Sequence, residues 1–374
     1  MAADLLDAWH AALQRDPVLM AAEAGRKAAG EKRVQGDASF APVVSAGFGT
    51  SADLQNFRSG DTAVQPSATL NGRQVNGGLT VSKPLFDGGR AVTRDQLYLA
   101  ADQAEVQYVQ ARQDLAVRVA SAYFDVQVAR EFLRLARIQK DAIEQQLAFA
   151  QKSYEIGQST IADQNDARAR YDNVVAAEVA GRHDLEVKEA ALRQLTGLDA
   201  ASAQPVFPQL EAVAYPPATL DDWIARTQAG NPSVRLVEFG ARIAHREIDR
   251  YRLRNQPVLS LSAAANSQLQ AGTLSASGKR DLTTNTSIGL LLSIPLFDGG
   301  MRQSQLRQAM LLEDQQSFTL EAARNDAVLA TRQYFTAIRD DAERIHALES
   351  ARDSAQSSLD SSQIAQRVGV RTII

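Results

Sequence analysis

The sequence predicts a mainly α protein with a small β-barrel portion, in which long coiled-coil helices carry four two-faced strands. Two stretches, 89–153 and 300–366, run helical with no internal Gly or Pro. Four shorter stretches alternate apolar and polar residues, the signature of a strand with two unlike faces. The chain then says this twice. Pro84-Leu85-Phe86-Asp87-Gly88-Gly89 returns as Pro295-Leu296-Phe297-Asp298-Gly299-Gly300, 211 residues on (295 − 84). Each copy ends a strand pattern and opens a long helix.

The duplication orders the elements. Leu6-Asp7-Ala8-Trp9 matches Leu220-Asp221-Asp222-Trp223 at the start of a short helix. Asp16-Pro17 matches Asn231-Pro232, each opening a second helix, because Asp or Asn caps well and Pro suits the first turn. Pro42 and Pro257 precede strands. Tyr123-Phe124 matches Tyr334-Phe335, and Ile156-Gly157-Gln158-Ser159-Thr160 matches Val368-Gly369-Val370-Arg371-Thr372. Residues 1–195 are therefore a first structural repeat, with strands at 42–54 and 75–84, a long helix at 89–153 and a further helix at 160–195. Residues 196–219, rich in Pro, form a connector. Residues 220–374 are the second repeat, with strands at 257–266 and 285–295 and a long helix at 300–366. Completing it requires a final helix of roughly 35–55 residues beyond Ile374.

In the strands, Val44, Ala46 and Phe48 alternate with Ser45, Gly47 and Gly49, and Ile288, Leu290 and Leu292 alternate with Ser287, Gly289 and Ser293 in part. A half-buried sheet or the wall of a bilayer-spanning barrel both satisfy this pattern. The intervening stretches, 53–74 and 267–285, are polar and expected as exposed loops. Four strands cannot close a membrane barrel, which needs about eight. If the strands face lipid, several chains share one barrel.

The first long helix spans about 97 Å at 1.5 Å per residue. A seam runs along it through Leu115, Val119, Ala122, Val126, Ala129, Leu133, Ala136, Lys140, Ile143, Leu147, Ala150 and Tyr154. Its steps of four and three give a 3.5-residue period, which predicts left-handed supercoiling with neighbouring helices. Lys140 alone breaks the apolar set.

Composition excludes much else. The net charge of −4 gives no basic footprint, so no nucleic-acid partner is expected. Without cysteine there is no disulfide, thiolate metal site or cysteine nucleophile. No run of 18 apolar residues marks a transmembrane helix, so a membrane role must run through strands. Met1-Ala2-Ala3-Asp4 leads straight into a helical pattern, which fits either a cytosolic protein or a mature chain whose signal peptide has been removed and which carries a start Met. His10, His183, His245 and His346 are scattered without metal-ligand spacing, and no nucleophile elbow or P-loop occurs. Asp87 and Asp298 fit helix-cap or turn roles. No catalytic residue, metal site or cofactor is expected.

The two Pro-Leu-Phe-Asp-Gly-Gly junctions, Tyr123-Phe124, Tyr154-Glu155-Ile156-Gly157, residues 167–172 and 192–197, residues 356–360 and Val368-Gly369-Val370-Arg371-Thr372-Ile373 together resemble the TolC family of outer-membrane exit ducts. The likeness spans nearly the whole chain, and order, spacing and duplication carry it. It implies a homotrimer in which each protomer gives four strands to a 12-stranded barrel in outer-membrane lipid and its helices to a long periplasmic barrel. Such ducts are passive. They export proteins by type I secretion, or small toxic compounds, from an inner-membrane transporter of the ABC or proton-driven kind. The resemblance implies that a periplasmic adaptor (membrane fusion) protein docks on the helix tips, here Gly157, Gln158, Ser159, Thr160, Gly369, Val370 and Thr372. It also implies a gate in which Asp163 and Arg371 match the family's tip aspartate and arginine. Gln366 stands where the family has a tip tyrosine, and Ala162 where it has a threonine, so the latch is weaker or differently wired. The family's pore-constricting aspartates belong to the final helix. A soluble periplasmic coiled-coil adaptor or structural stalk is the alternative.

Overall fold

In the computed structural model, residues 4–58, 60, 68–199, 219–252, 256–275 and 277–367 are described. The element order is α1 (Leu5–Arg15), α2 (Pro17–Ala38), β1 (Val43–Phe57), β2 (Ala68–Phe86), α3 (Gly88–Glu155), α4 (Ile161–Thr196), α5 (Leu220–Gly230), α6 (Pro232–Arg252), β3 (Val258–Gly272), β4 (Arg280–Ser293) and α7 (Met301–Arg367). Most of the expected connector, residues 200–218, lies outside the described residues. No described helix is long and apolar enough to cross a membrane.

The chain divides into two compact units. One comprises Met1–Arg26, Glu105–Val234 and Ala323–Ile374, and its core is built on the α3 seam. Leu115, Val119 and Val126 pack with Tyr123 against Ala8 and Ala12 of α1, Leu19 of α2 and Leu192 of α4. The seam continues through Ala129, Leu133 and Ala136, all buried. Small residues at these positions let helices approach closely. Gly181 of α4 shows the limit, since a Cβ there would sit 3.2 Å from the Phe132 ring.

Capping explains where these helices begin. Asp4 and Asp7 form a reciprocal capping box at α1. Asp16 is buried and accepts the Leu19 N–H at 2.7 Å, opening α2 directly after α1 ends. Thr160 and Asp163 form the same kind of box at α4, and Gly197, with φ +71°, closes that helix in the left-handed region.

The second unit comprises Lys27–Ala104 and Arg235–Ala322 and holds the sheet. Its strands run antiparallel in the order β1-β2-β3-β4, so β1 and β4 are the edges. The strands are longer than the alternation indicated. β1 reaches Phe57 and pairs with β2 back to Ala68, and β3 and β4 pair out to Ala271 and Arg280. Much of what was expected as loop, 53–74 and 267–285, is paired backbone. Alternation fades there because both faces carry polar residues, while the ladder needs only main-chain groups.

The two sequence-identical junctions differ in conformation. In the first, Pro84 still pairs with Ser260, the register shifts before Phe86, and Gly88 already starts α3. In the second, β4 ends at Ser293, and Gly299 and Gly300 take φ of +67° and +87° before α7 starts at Met301. β2 is held on both sides, by β1 and β3, whereas β4 is an edge strand held on one. The Tyr-Phe pairs also part company: Tyr123 is fully buried and Tyr334 is 71 % exposed.

Candidate functional site

Register sorts the sheet into two unlike faces. Val44, Val81, Ala263 and Ile288 lie in one cross-strand row, followed by Ala46, Leu79, Ala265 and Thr286, and further out by Thr50, Val75, Leu269 and Leu282. Several of these apolar side chains are exposed, including Val44, Phe48, Leu79, Ile288 and Leu290. The central rows of the opposite parity are small or carry amides: Ser45, Thr80, Ala264 and Ser287; then Gly47, Gly78, Asn266 and Asn285; then Gly49, Asn76, Gln268 and Thr283. On this face a Cβ at Gly49 would meet the Asn76 amide at 2.9 Å and one at Gly78 would meet the Asn266 amide, so the glycines leave room for these side chains. Exposed aliphatics on one face and neutral polar groups on the other suit a wall between lipid and water.

The junctions tie this wall to the helices. Asp87 caps α3 by accepting the Arg90 N–H at 3.1 Å. Asp298 accepts the N–H groups of Gly300 and Arg302, both at 3.0 Å. Gly88 makes room for the Gln256 side chain, and Arg250 donates to the Gly89 carbonyl and the Thr93 hydroxyl. Pro84, Pro295, Gly89, Gly299 and Gly300 complete the two turns. These groups are consumed by backbone geometry, which matches a mechanical role better than a chemical one.

At the α3–α4 reversal, Gly157 has φ +73°. Its N–H reaches the Tyr154 carbonyl at 2.9 Å, and the Gln158 N–H reaches the Ser153 carbonyl at 2.8 Å, the paired bonds of a Schellman motif. A groove of about 450 Å³ runs beside the turn, lined by Phe149 and Ala150 of α3, Gln158 and Ser159 of the turn, and Asp163 and Arg170 of α4. Asp163 accepts the Thr160 N–H at 2.9 Å and its hydroxyl at 2.8 Å. The Thr160 N–H, then its hydroxyl, hold the Asp163 carboxyl below its ordinary pKa. Of the other expected tip and gate residues, Gly369, Val370, Arg371 and Thr372 lie outside the described residues. Gln366 is in α7, but its side chain is likewise outside the description.

Sequence reasoning missed two ion clusters. Arg118 of α3 grips Asp16 through two bonds of 3.1 Å. Deeper along the α3–α4 seam, Glu178 is buried and accepts from Lys140 at 2.7 Å, with Arg137 and Arg182 at 3.5 and 3.8 Å. The Lys140 bond, with its charge and those of the arginines, outweighs burial and lowers the Glu178 pKa. Lys140 was visible as the break in the α3 seam. Its partner occupies the matching break in α4, where Val174, Glu178 and Gly181 follow at steps of four and three.

A four-stranded wall with one lipid-compatible face, joined to helices of 68 and 67 residues, is the architecture of a channel-tunnel subunit. The chain belongs to the family described as "Outer membrane efflux protein", which matches residues 8–198 and 223–374, one stretch per repeat. Membership places the chain in the outer membrane of a Gram-negative cell and sets aside the soluble stalk. The chain is 28% identical over 373 residues to "Outer membrane protein TolC" of Vibrio cholerae, covering 100% of this chain and 83% of that one. It is 29% identical over 388 residues to the protein of the same name from Escherichia coli, covering 100% and 75%. Against "Alkaline protease secretion protein AprF" of Pseudomonas aeruginosa it is 26% identical over 370 residues, covering 98% and 76%. Among solved structures, CusC superposes with a TM-score of 0.78 at 20% identity, covering 98% of this chain and 83% of that one. VceC from Vibrio cholerae gives 0.74 at 18%, covering 98% and 87%.

Proposed function

We propose that this chain is one subunit of a passive, three-fold outer-membrane channel-tunnel that carries proteins, by type I secretion, or small toxic compounds out of the cell. The observation that carries it is the two-faced sheet with both edges open, in a chain whose family and relatives are outer-membrane efflux and secretion proteins. Three copies supply twelve strands, enough to close a barrel, and each open edge then pairs with a neighbour's. A periplasmic adaptor and an inner-membrane transporter complete the path, with Gly157, Gln158, Ser159 and Thr160 at the adaptor-docking tip. Asp163 and Arg371 form the latch there. Outer-membrane fractionation with a heat-modifiable trimer is the expected behaviour. A monomer fully soluble without detergent, with every helix present, is the result that sinks it. The latch is tested by single-channel conductance of Arg371→Ala, which rises if the pair holds the pore shut. Asp163→Ala is the poorer probe because it also breaks the cap with Thr160.

A further inference from the structure

Cations stand near both margins of the apolar face, with Leu259 and Leu292 one row beyond the helix-side cation and Leu54 one row beyond the far ones. Toward the helices, Lys83 shares a row with Leu261 and Leu290. Toward the far end, where β3 and β4 finish pairing, Ala52, Arg73, Ala271 and Arg280 form a row of the same parity. Lys83, Arg73 and Arg280 are all exposed. Arg73 stands ten residues from Lys83 (83 − 73) along β2. That is about 33 Å of strand, and about 25 Å of height at a tilt of about 40°, the thickness of a barrel's apolar band.

Charge at the far rim is sorted by face. The next row of opposite parity carries Asp281, aligned with Gln270, and the following one carries Asp53, aligned with Gly72. Both carboxylates are engaged locally, Asp53 by the Ser51 hydroxyl and Asp281 by the Ser277 N–H. Among the described residues, neither Arg73 nor Arg280 pairs with a carboxylate. They sit two strands apart, about 10 Å, with only the Ala271 methyl between them. Two guanidinium forks on a lipid-facing surface, at hydrocarbon's edge, fit phosphate oxygens.

We propose that Arg73 and Arg280 bind the phosphates of a phosphorylated glycolipid in the outer leaflet, fixing each protomer's height in the membrane. This rests on the outer-membrane reading above. The far rim is the outer one, because the helices leave from the opposite end of the strands. A glycolipid headgroup bearing two phosphates can engage both arginines at once. A phospholipid with a single phosphate engages one.

The test uses the purified full chain, wild type, R73Q/R280Q and K83Q, in phosphatidylcholine vesicles. These contain bis-phosphorylated lipid A, dephosphorylated lipid A or phosphatidylglycerol, and retained lipid is read by native mass spectrometry. Wild type and K83Q are expected to retain bis-phosphorylated lipid A about tenfold better than the other two lipids, and R73Q/R280Q to lose that preference. Undiminished preference in R73Q/R280Q, equal loss in K83Q, or equal retention of phosphatidylglycerol by wild type overturns the proposal. Failure of every form to float with vesicles overturns the membrane reading itself, and the two failures are told apart by flotation.

Discussion

Arg118 chelates the buried carboxylate of Asp16, Nη1 to Oδ2 and Nη2 to Oδ1, both at 3.1 Å. The same carboxylate caps α2, and the Asp16 backbone N–H reaches the Ala12 carbonyl of α1 at 2.9 Å, so one residue joins three helices of the first repeat. The second repeat has changed both partners together. Asn231 caps α6 through the N–H groups of Ser233 and Val234, and Leu329 stands 211 residues after Arg118. Duplication has left a natural comparison between an ionic and a neutral version of one joint.

That comparison predicts how substitutions combine. Arg118→Leu alone strands a buried carboxylate and is expected to cost about 3 kcal/mol. Asp16→Asn with Arg118→Leu copies the second repeat, keeps the cap, and is expected to cost only about 1 kcal/mol. Denaturant unfolding of both variants checks this. A double variant as unstable as the single rejects it.

The pair also sets a pH dependence. Burial pushes the Asp16 carboxyl up, but the Arg118 hydrogen bond, the Leu19 N–H and the Arg118 charge outweigh it and leave the pKa below 3.8. A depressed folded value means the stabilisation is complete above the unfolded pKa and fades as pH falls through the folded one. The advantage of wild type over D16N/R118L is therefore expected to be flat from neutral pH down to about 4 and to shrink below it. Thermal midpoints of both proteins along a pH series give the answer.

Lys140 and Glu178 occupy facing breaks in two helical seams. Lys140→Leu alone repairs one seam but leaves Glu178 buried with only the longer contacts to Arg137 and Arg182, so its unfolding midpoint is expected to fall. Lys140→Leu with Glu178→Leu makes both seams apolar and is expected to recover or exceed the wild-type midpoint. A double variant less stable than Lys140→Leu would show that the ion cluster, and not its desolvation, governs this contact.

Gly157 needs its positive φ, although nothing lies within 4 Å of where its Cβ would be. Gly157→Ala is thus expected to cost about 1 kcal/mol through the backbone alone. Faster hydrogen exchange confined to the last turn of α3 and the first of α4 would mark the loss. Unchanged exchange there would mean that the turn tolerates a side chain.

The seam of α3, the helix caps and the repeat were legible because each rests on local spacing. Leu115 and Val126 are buried where the 3.5-residue period puts them. Tyr123 was not foreseen in the core, since it stands one residue off that seam and is recruited by α1. The first part of β2, 68–74, falls outside the expected strand because Asn71, Gly72 and Gln74 break the alternation, yet its backbone pairs with β1. The junctions show the limit most directly. Six identical residues adopt a continuous strand-to-helix path beside β3 and a left-handed glycine turn at the β4 edge, so neighbours, and not the local sequence, choose. The roles of Asp163 and Arg371 came from family likeness. What the local residues reveal at Asp163 is a cap.

The open edges of β1 and β4 carry a genetic consequence. A wall that closes only through its neighbours has no finished state as one chain, so three-fold closure makes every subunit answerable for the other two. In a cell making equal amounts of sound and faulty chains that still assemble, only about one trimer in eight is built wholly of sound ones. A lesion at the sheet edge is expected to disappear as recessive, because it never joins, whereas a lesion deep in the helices is expected to be inherited as dominant.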